Sequence, residues 1–356
     1  MLEAIRSSIP IQKIGQSRIS EIDFDHIPFG KIFSDHMLVA EYENGKWNPA
    51  KIMPYDQILM YPCIMALHYG QSIFEGLKAF KMKDGSSALF RPEANYNRMN
   101  RSAAGVVMPE IPKEIFMDGL LELVKLDSNW IPDRPESALY IRPIYFATDE
   151  TIGIKSSDKY KFVIFTCPVG AYYPEPVLLW ASKKYVRAFE GGMGEIKAAG
   201  NYAGSLYANK IAKDKGYHNV LWLDGKEHKY IEECGTMNIF FVIDGKVITP
   251  SLGGTILHGI TRDSCITLLK DEGIEVEQRR ISLDEIIAAS ENGTLEDCFG
   301  AGTAATVAPV AKIGMEERVL ELPPVANRKI SNMLLKTLNG IRYGEIEDKH
   351  GWMVKV

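Results

Sequence analysis

The segment GAYYPEP, residues 170–176, constrains the fold more than any other feature of this sequence. A glycine and two prolines follow a predicted strand there, a composition typical of a connection between domains. The chain has 356 residues, which exceeds the length that a single hydrophobic core usually supports. We therefore predict a first domain over residues 1–169, a linker over 170–176 and a second domain over 177–356.

The predicted first domain mixes strands with helices. The segments 138–148 and 160–170 are rich in β-branched and aromatic residues, which favour strands. The segments 95–106 and 112–126 predict helices, and Pro112 stands at the start of the second, where its missing N–H costs nothing.

The predicted second domain has the same mixed character. Asp244-Gly245 between two apolar runs indicates a two-residue hairpin. Ser282 followed by Glu285 forms a capping box at the start of a helix over 282–293. Further helices are predicted over 261–273 and over 325–340, the last ending at Gly340. Because hairpins replace a regular alternation of strand and helix, both domains are expected to be α+β.

Charge and composition exclude several classes of function. The net charge is −5 and no run is rich in lysine or arginine, so neither nucleic acid nor a membrane surface is an expected partner. No apolar stretch is long enough for a secretory signal or a membrane span. The cysteines are widely spaced, which argues against a disulfide framework or a zinc site and favours the cytoplasm; they are Cys63, Cys167, Cys234, Cys265 and Cys298.

The stretch EIKAAGNYAGS, residues 195–205, places one lysine among small residues. Most lysines are solvated surface charges. Here Lys197 is followed by two alanines and a glycine, which remove bulk beside the amine. An amine in such a setting can lose its water and use its lone pair for covalent chemistry with a carbonyl group.

Two further charged residues stand in settings that suggest an anionic, nitrogen-containing ligand. Glu233 precedes an apolar strand and needs a cationic partner, because isolated buried charge is costly. That partner could be a protein cation or the protonated ring nitrogen of a cofactor. Arg98 lies on a predicted helix, where most arginines only solvate a face, yet its planar fork suits a phosphate.

Two turns rich in glycine and threonine could complete a phosphate site. HGITRDS (258–264) leads into a helix, and FGAGTAATVAP (299–309) offers hydroxyl groups and backbone N–H groups. Each turn alone is common. Together with Lys197, Glu233 and Arg98 they supply the groups that pyridoxal 5′-phosphate requires.

A series of segments, taken with these residues, resembles the branched-chain amino acid aminotransferases, members of the class IV (fold type IV) pyridoxal-phosphate enzymes. The segments occur in the order of that family: LHYGQSIFEGLKAF, FRPEANYNRM, ALYIRPI, CPVGAYY, YVRAFEGGMGEIKAAGNYAGSLYANK, VLWLDG, EECGTMNIFF, TILHGITRDS and FGAGTAATVAP. The resemblance implies a two-domain fold of mixed sheets and helices with a small N-terminal and a large C-terminal domain. It also implies an active site in the cleft between them, a homodimer, and transamination between Leu, Ile or Val and 2-oxoglutarate.

The resemblance also implies a role for each matching residue. Lys197 is the Schiff-base lysine and proton shuttle, Glu233 faces the pyridine nitrogen, and Tyr202 bonds the phenolic oxygen of the ring. The remaining cofactor contacts are Arg98, the main chain of Ile260 and Thr261, and Thr303 at the phosphate, with Arg187 as a second arginine. The substrate pocket comprises Tyr69, Phe74, Tyr140 and Tyr172 as walls, the N–H groups of Thr236 and Ala304 for the α-carboxylate, and Arg142 for the distal carboxylate of glutamate.

One departure and two alternatives accompany the resemblance. Mammalian members carry a C-x-x-C redox pair where this chain has Ala305 and Ala308, so no thiol switch is expected there. A D-amino acid aminotransferase or an aminodeoxychorismate lyase would share Lys197 and Glu233 but not the whole substrate pocket. A non-catalytic pyridoxal-phosphate-binding protein is the alternative from another class, and the complete set of cofactor residues argues against it. The sequence does not rank Leu, Ile and Val, because one methylene is worth only about 1–3 kcal/mol.

Overall fold

The computed structural model describes residues 9–173 and 175–356, so residues 1–8 of the predicted first domain and Pro174 of the predicted linker lie outside the described residues. The described residues form two compact units of similar length, one of residues 9–170 and 342–356, the other of residues 171–173 and 175–341. The sequence prediction assigned residues 342–356 to the second domain. They belong to the first unit, because the strand Met353–Lys355 pairs with Ser87–Phe90.

The strands and helices follow one another without regular alternation. In chain order the strands are β1 (His36–Glu43), β2 (Lys46–Trp47), β3 (Lys51–Pro54), β4 (Ser72–Phe74), β5 (Leu77–Lys81), β6 (Ser87–Phe90), β7 (Ala138–Ala147), β8 (Tyr160–Val169), β9 (Val177–Ala181), β10 (Asn219–Leu223), β11 (Ile231–Cys234), β12 (Met237–Ile243), β13 (Lys246–Thr249), β14 (Val276–Gln278), β15 (Leu295–Gly302), β16 (Thr306–Gly314), β17 (Val319–Glu321) and β18 (Met353–Lys355). The α-helices are α1 (Met65–Tyr69), α2 (Pro92–Gly105), α3 (Gly119–Leu126), α4 (Ala199–Asp214), α5 (Ile260–Asp271), α6 (Leu283–Glu291) and α7 (Lys329–Tyr343). A π-helical turn, Glu114–Asp118, leads directly into α3.

The first unit is built on an antiparallel sheet with the strand order β18-β6-β5-β7-β8-β1-β2. β3 pairs with β1 and β4 pairs with β7 beside this path. The long central strands β7 and β8 are paired along their whole length, from Ala138 opposite Val169 to Ala147 opposite Tyr160. Gly119, the first residue of α3, lets that helix approach β1, since a Cβ at this position would lie 2.7 Å from a methyl group of Leu38.

The second unit is built on a mixed sheet that closes on itself. Its order is β11-β10-β9-β16-β15-β12-β13-β14, and an additional pairing of β11 with β12 joins six of these strands into a ring. β9 is parallel to both of its neighbours, β10 and β16. The core includes the buried side chains of Leu179, Leu221, Ile239, Phe241 and Val310. The α+β class predicted from the sequence is confirmed.

Local signals in the sequence predicted a hairpin turn and a helix cap correctly, but they misplaced the end of the last helix. Asp244 and Gly245 form the predicted hairpin turn with φ angles of 50° and 72°. Ser282 accepts the predicted capping bond from the backbone N–H of Glu285 at 3.1 Å. The prediction that the last helix ends at Gly340 was wrong: α7 continues to Tyr343, because a glycine inside a helix costs only about 1 kcal/mol. Gly344 follows with a φ of 73°, the left-handed conformation that favours glycine after a helix.

Candidate active site

Lys197 lies in the loop immediately before α4, and that helix fixes its closest polar partner. Its Nζ is 2.9 Å from the hydroxyl oxygen of Tyr202, which stands on the first turn of α4. The side-chain amide of Asn201 donates to the carbonyl oxygens of Met193 and Ile196 and so holds the loop against the helix. A Cβ at Gly200, which is exposed in the first turn of α4, would meet no heavy atom within 4 Å.

Glu233 on β11 is the buried carboxylate of the site. Only 3% of the residue is exposed, and one carboxylate oxygen accepts the backbone N–H of Leu257 at 2.8 Å. The other oxygen lies 3.1 Å from Nε of Arg187, in the loop between β9 and α4. Burial raises the pKa of Glu233, while Arg187, the N–H of Leu257 and Lys197 oppose the shift and Glu232 adds to it.

A β-bulge at Glu232 gives the site a second buried carboxylate. Trp222 of β10 is opposite Glu233, but the next residue, Leu223, is opposite Ile231, which leaves Glu232 as an extra residue in β11. In a regular strand Ile231 and Cys234, three residues apart, would point to opposite faces. Both belong to the same hydrophobic core, and both intervening glutamates interact electrostatically with Arg187. The bulge therefore turns Glu232 and Glu233 to the same side.

The start of α5 is anchored to Glu233 through the residues that precede the helix. The side-chain amide of Asn238, on β12, donates to the carbonyl oxygen of Leu257 at 3.0 Å, and the N–H of Leu257 binds Glu233. At Gly259, the N-cap of α5, a Cβ would overlap the side-chain oxygen of Asn238, so only glycine fits this approach. These contacts hold the first turn of α5, which contains Ile260 and Thr261, close to the buried carboxylate.

The other predicted residues of the second unit lie in turns. Thr236 is exposed in the tight turn between β11 and β12, and Thr303 and Ala304 lie in the turn between β15 and β16. Tyr172 stands just after the boundary between the units, edge-on to the ring of Tyr173 at 4.6 Å. A cavity of this unit joins several of the groups described above; its lining includes Arg187, Asn201, Tyr202, Ser205, Glu233, Gly235, Thr236, Asn238 and Leu257.

The first unit brings four of the predicted residues into two groups. Arg142 of β7 donates to the hydroxyl of Tyr140 at 2.9 Å, and its guanidinium group lies 4.7 Å from the ring centre of Phe74. Phe29, which the sequence analysis missed, packs edge-on against Tyr140 at 5.6 Å. No motif marked this phenylalanine, because its contact joins segments more than a hundred residues apart.

Arg98 forms the second group with a residue that the sequence analysis also missed. Its guanidinium group makes two parallel hydrogen bonds of 2.7 Å to the carboxylate of Glu75, which is fully buried. Asn95, one turn earlier on α2, donates to the same carboxylate at 2.7 Å. Tyr69, the other predicted residue of this unit, ends α1 and is partly exposed.

These residues fit the cofactor that the sequence predicts. The second unit presents an amine beside a phenol, a carboxylate held at depth, and a helix start close to it, all of which pyridoxal phosphate would use. Two buried carboxylates face one guanidinium group, so the cavity can accept a further positive charge, such as a protonated ring nitrogen.

Two other classes of feature were searched for in the described residues. Among them, no group of three or more His, Cys, Asp or Glu side chains is arranged to hold a metal ion. No helix within residues 9–173 and 175–356 has the length and apolar character that crossing a membrane requires.

Known proteins match the chain over most of its length. A family model described as amino-transferase class IV matches residues 72–313. Branched-chain-amino-acid aminotransferase 2 of Bacillus subtilis (strain 168) is 45% identical over 338 residues, which are 94% of this chain and 93% of that protein.

Solved structures of branched-chain aminotransferases are also similar to this chain. The branched-chain aminotransferase of Thermoproteus uzoniensis with norvaline has a TM-score of 0.74 at 25% identity and covers 90% of this chain and 99% of its own. The T.th. branched-chain amino acid aminotransferase with pyridoxamine 5′-phosphate has a TM-score of 0.70 at 28% identity, covering 88% of this chain and 97% of its own. With such matches along most of its length, the chain belongs to the class IV aminotransferases and, among them, to the branched-chain amino acid aminotransferases.

Proposed function

We propose that the chain transfers the amino group of leucine, isoleucine or valine to 2-oxoglutarate, giving a branched-chain 2-oxo acid and L-glutamate, with pyridoxal phosphate as cofactor. The observation that carries this proposal is the pairing of Lys197 with Tyr202 in the same unit as the buried Glu233–Arg187 pair. Pyridoxal phosphate, when bound, supplies an electron sink that acidifies the Cα–H of an amino acid.

Lys197 is proposed to serve as the attachment point of the cofactor and as the general base and acid. Its Nζ would take the proton from Cα of the substrate and later return it. The hydroxyl of Tyr202, 2.9 Å from this nitrogen, limits where the amine rests and would bond the phenolic oxygen of the cofactor.

Glu233 is proposed to hold a proton on the ring nitrogen of the cofactor. A carboxylate next to a basic nitrogen favours the protonated, charged form. The N–H of Leu257 binds one of its oxygens, and Arg187 opposes the rise in pKa that burial causes.

The phosphate group is proposed to bind backbone N–H groups at the start of α5. The first N–H groups of a helix lack partners within the helix, and its dipole favours an anion there. Ile260 and Thr261 occupy these positions. Arg98 and the hydroxyl of Thr303 are the further proposed phosphate ligands.

The substrate side chain is proposed to contact aromatic residues that have an apolar body and a polar tip, which suits both leucine and glutamate. Tyr140 and Phe74 flank Arg142, whose charge would meet the distal carboxylate of glutamate. Phe29 joins this proposed group because it packs on Tyr140. The remaining proposed substrate contacts are Tyr69, Tyr172 and the N–H groups of Thr236 and Ala304.

The chain is further proposed to act as a cytoplasmic homodimer. Large apolar side chains are exposed in two segments of the first unit that a bridge between Ile64 and Glu150 brings side by side; they include Leu59, Leu67, Ile152 and Ile154. Several large apolar side chains exposed in neighbouring segments are consistent with a protein interface. A mass measured by light scattering that equals one chain would contradict this part of the proposal.

The test of the function compares the wild-type protein with Lys197→Ala. Wild type should bind pyridoxal phosphate covalently, show an absorbance change on addition of L-leucine, and form glutamate from L-leucine and 2-oxoglutarate. Lys197→Ala should lose the covalent attachment and at least about 10⁴-fold in kcat. Turnover of D-alanine in place of L-leucine would favour a D-amino acid aminotransferase, and release of pyruvate from aminodeoxychorismate would favour the lyase. Binding without any turnover would support the non-catalytic alternative.

A further inference from the structure

Glu232 is a buried acid to which the proposed reaction assigns no role. Only 7% of the residue is exposed, and among the described residues its Oε2 has no hydrogen-bond partner. Its other polar contact is with the side chain of Thr255. A carboxylate buried with one oxygen unsatisfied is costly, so its presence calls for a physical reason.

Arg187 connects Glu232 to the site. Its Nε faces Glu233, while Nη2 donates to the carbonyl oxygens of Gly194 and Thr255. Thr255 thus contacts the guanidinium group through its main chain and Glu232 through its side chain. Any displacement of Glu232 would be transmitted through Thr255 to Arg187, and from there to Glu233.

The guanidinium group of Arg187 alone does not balance the buried carboxylates around Glu232, and the ammonium group of Lys197 can contribute only while its nitrogen does not attach the cofactor. Glu232 and Glu233 face a single buried guanidinium group, that of Arg187. Asp224 and Arg280 also act on Glu232, with opposite signs, and Arg280 is more than half exposed and pairs mainly with Glu227. Lys197 acts on Glu233. Burial raises the pKa of Glu232, as it does that of Glu233, while Arg187 opposes the shift at both carboxylates.

We propose that Glu232 is a positioning residue that supplies the countercharge of Arg187, so that the negative charge of Glu233 remains available to the ring nitrogen of the cofactor. This inference rests on the proposed function. With the ring nitrogen protonated, two carboxylates match two cations, and the buried cluster becomes neutral. Without Glu232, the pair of Arg187 and Glu233 would already be neutral, and a protonated ring would leave one buried positive charge without a partner.

The test measures the protonation of the ring nitrogen directly. Wild type and Glu232→Gln are loaded with ¹⁵N-labelled pyridoxal phosphate, and the nitrogen chemical shift is followed as the pH is raised. We expect the variant to lose the ring proton at a lower pH than wild type and to bind the cofactor about tenfold more weakly. Glu232→Asp, which keeps the charge, should restore most of the protonation.

Glu227→Gln is the matched control. It removes one carboxylate from the turn that precedes β11, but Glu227 is partly exposed and pairs with Arg280 on the surface, so its ring shift and cofactor affinity should equal those of wild type. A folded Glu232→Gln protein with the wild-type shift and affinity would overturn the inference.

Failure of the variant to fold and failure of wild type to bind the cofactor have different consequences for the inference. If Glu232→Gln does not fold, wild type decides: its ring nitrogen should keep the proton to a higher pH than that of free pyridoxal phosphate, and loss at the same pH contradicts the inference. If wild type itself does not bind pyridoxal phosphate, the proposed function fails, and with it the inference. Binding with equal ring protonation in wild type and Glu232→Gln overturns the inference alone.

Discussion

Both units of the molecule bury an arginine against a glutamate, but the two sites are built differently. In the first unit, Arg98 and Glu75 form two parallel bonds of 2.7 Å, one cation against one anion. In the second unit, Arg187 faces Glu233 at 3.1 Å, and a second carboxylate, Glu232, lies on the same side. The first site is matched in charge and geometry, whereas the second carries an excess of negative charge.

This difference predicts that mutations at the two sites have different consequences. A bidentate, fully hydrogen-bonded pair holds a side chain in one orientation, and removing one partner leaves an uncompensated buried charge. An excess carboxylate instead lowers stability unless a cation from outside completes the cluster. We therefore expect mutation of Glu75 in the first pair to reduce mainly stability, and mutation of Glu233 in the second to reduce mainly catalysis.

The largest expected effect is on catalysis, at Glu233. Glu233→Gln keeps the shape but removes the charge that favours a protonated ring nitrogen, so kcat for L-leucine should fall by about 100- to 1,000-fold. The thermal midpoint of the cofactor-free protein should stay within a few degrees of wild type, because the variant also removes an excess buried charge. Steady-state kinetics and a melting curve check both parts. A variant with wild-type kcat would show that this carboxylate has no catalytic role.

The next effect concerns Glu75, at the matched pair. Glu75→Gln leaves the guanidinium group of Arg98 buried without its anion and should lower the free energy of unfolding by about 3 kcal/mol. Urea unfolding followed by tryptophan fluorescence measures this loss. If Glu75→Gln unfolds at the same urea concentration as Glu233→Gln, the two sites do not differ in the way we infer.

The two arginine sites also show what the sequence could and could not predict. Lys197 and Glu233 stood out because each is a charged residue beside small or apolar residues, and Arg98 because its planar fork suits a phosphate. Tyr202 and Arg187, the partners of Lys197 and Glu233, were named through the family resemblance, but Glu75, the partner of Arg98, was not. Glu75 contacts Arg98 only because β4 and α2 pack together.

Glu232 was missed for a related reason. A pattern of alternating faces places adjacent residues of a strand on opposite sides, and only the pairing with β10 shows the bulge that brings Glu232 beside Glu233. Register between strands distant in sequence is a tertiary property. The same limit explains the error at the C-terminus, where β18 returns to pair with β6 of the first unit.

The excess charge also predicts a dependence of stability on pH. Burial raises the pKa of Glu232 and of Glu233 above that of an unfolded carboxyl group, so the folded protein binds protons more tightly than the unfolded chain. The stability they contribute is therefore fully present below the unfolded pKa and is lost as the pH rises through the folded pKa. Between about pH 5 and about pH 8, the stability of cofactor-free Glu232→Gln should decline less than that of wild type. Parallel declines, measured by urea unfolding at both pH values, would show that Glu232 does not titrate differently in the folded state.

The smallest expected effect is at an exposed ion pair, which tests whether burial causes the larger loss of stability at the buried pair. Lys113 and Glu93 form an ion pair with an N–O distance of 2.6 Å, as short as that between Arg98 and Glu75, but both side chains are more than half exposed. Water screens such a pair, so Glu93→Gln should change the free energy of unfolding by less than about 0.5 kcal/mol. The substitution is chemically the same as Glu75→Gln and lies in the same unit, and urea unfolding of the two variants side by side compares them directly. A loss at Glu93 as large as that at Glu75 would mean that the ion contact itself, rather than its burial, stabilises the first unit.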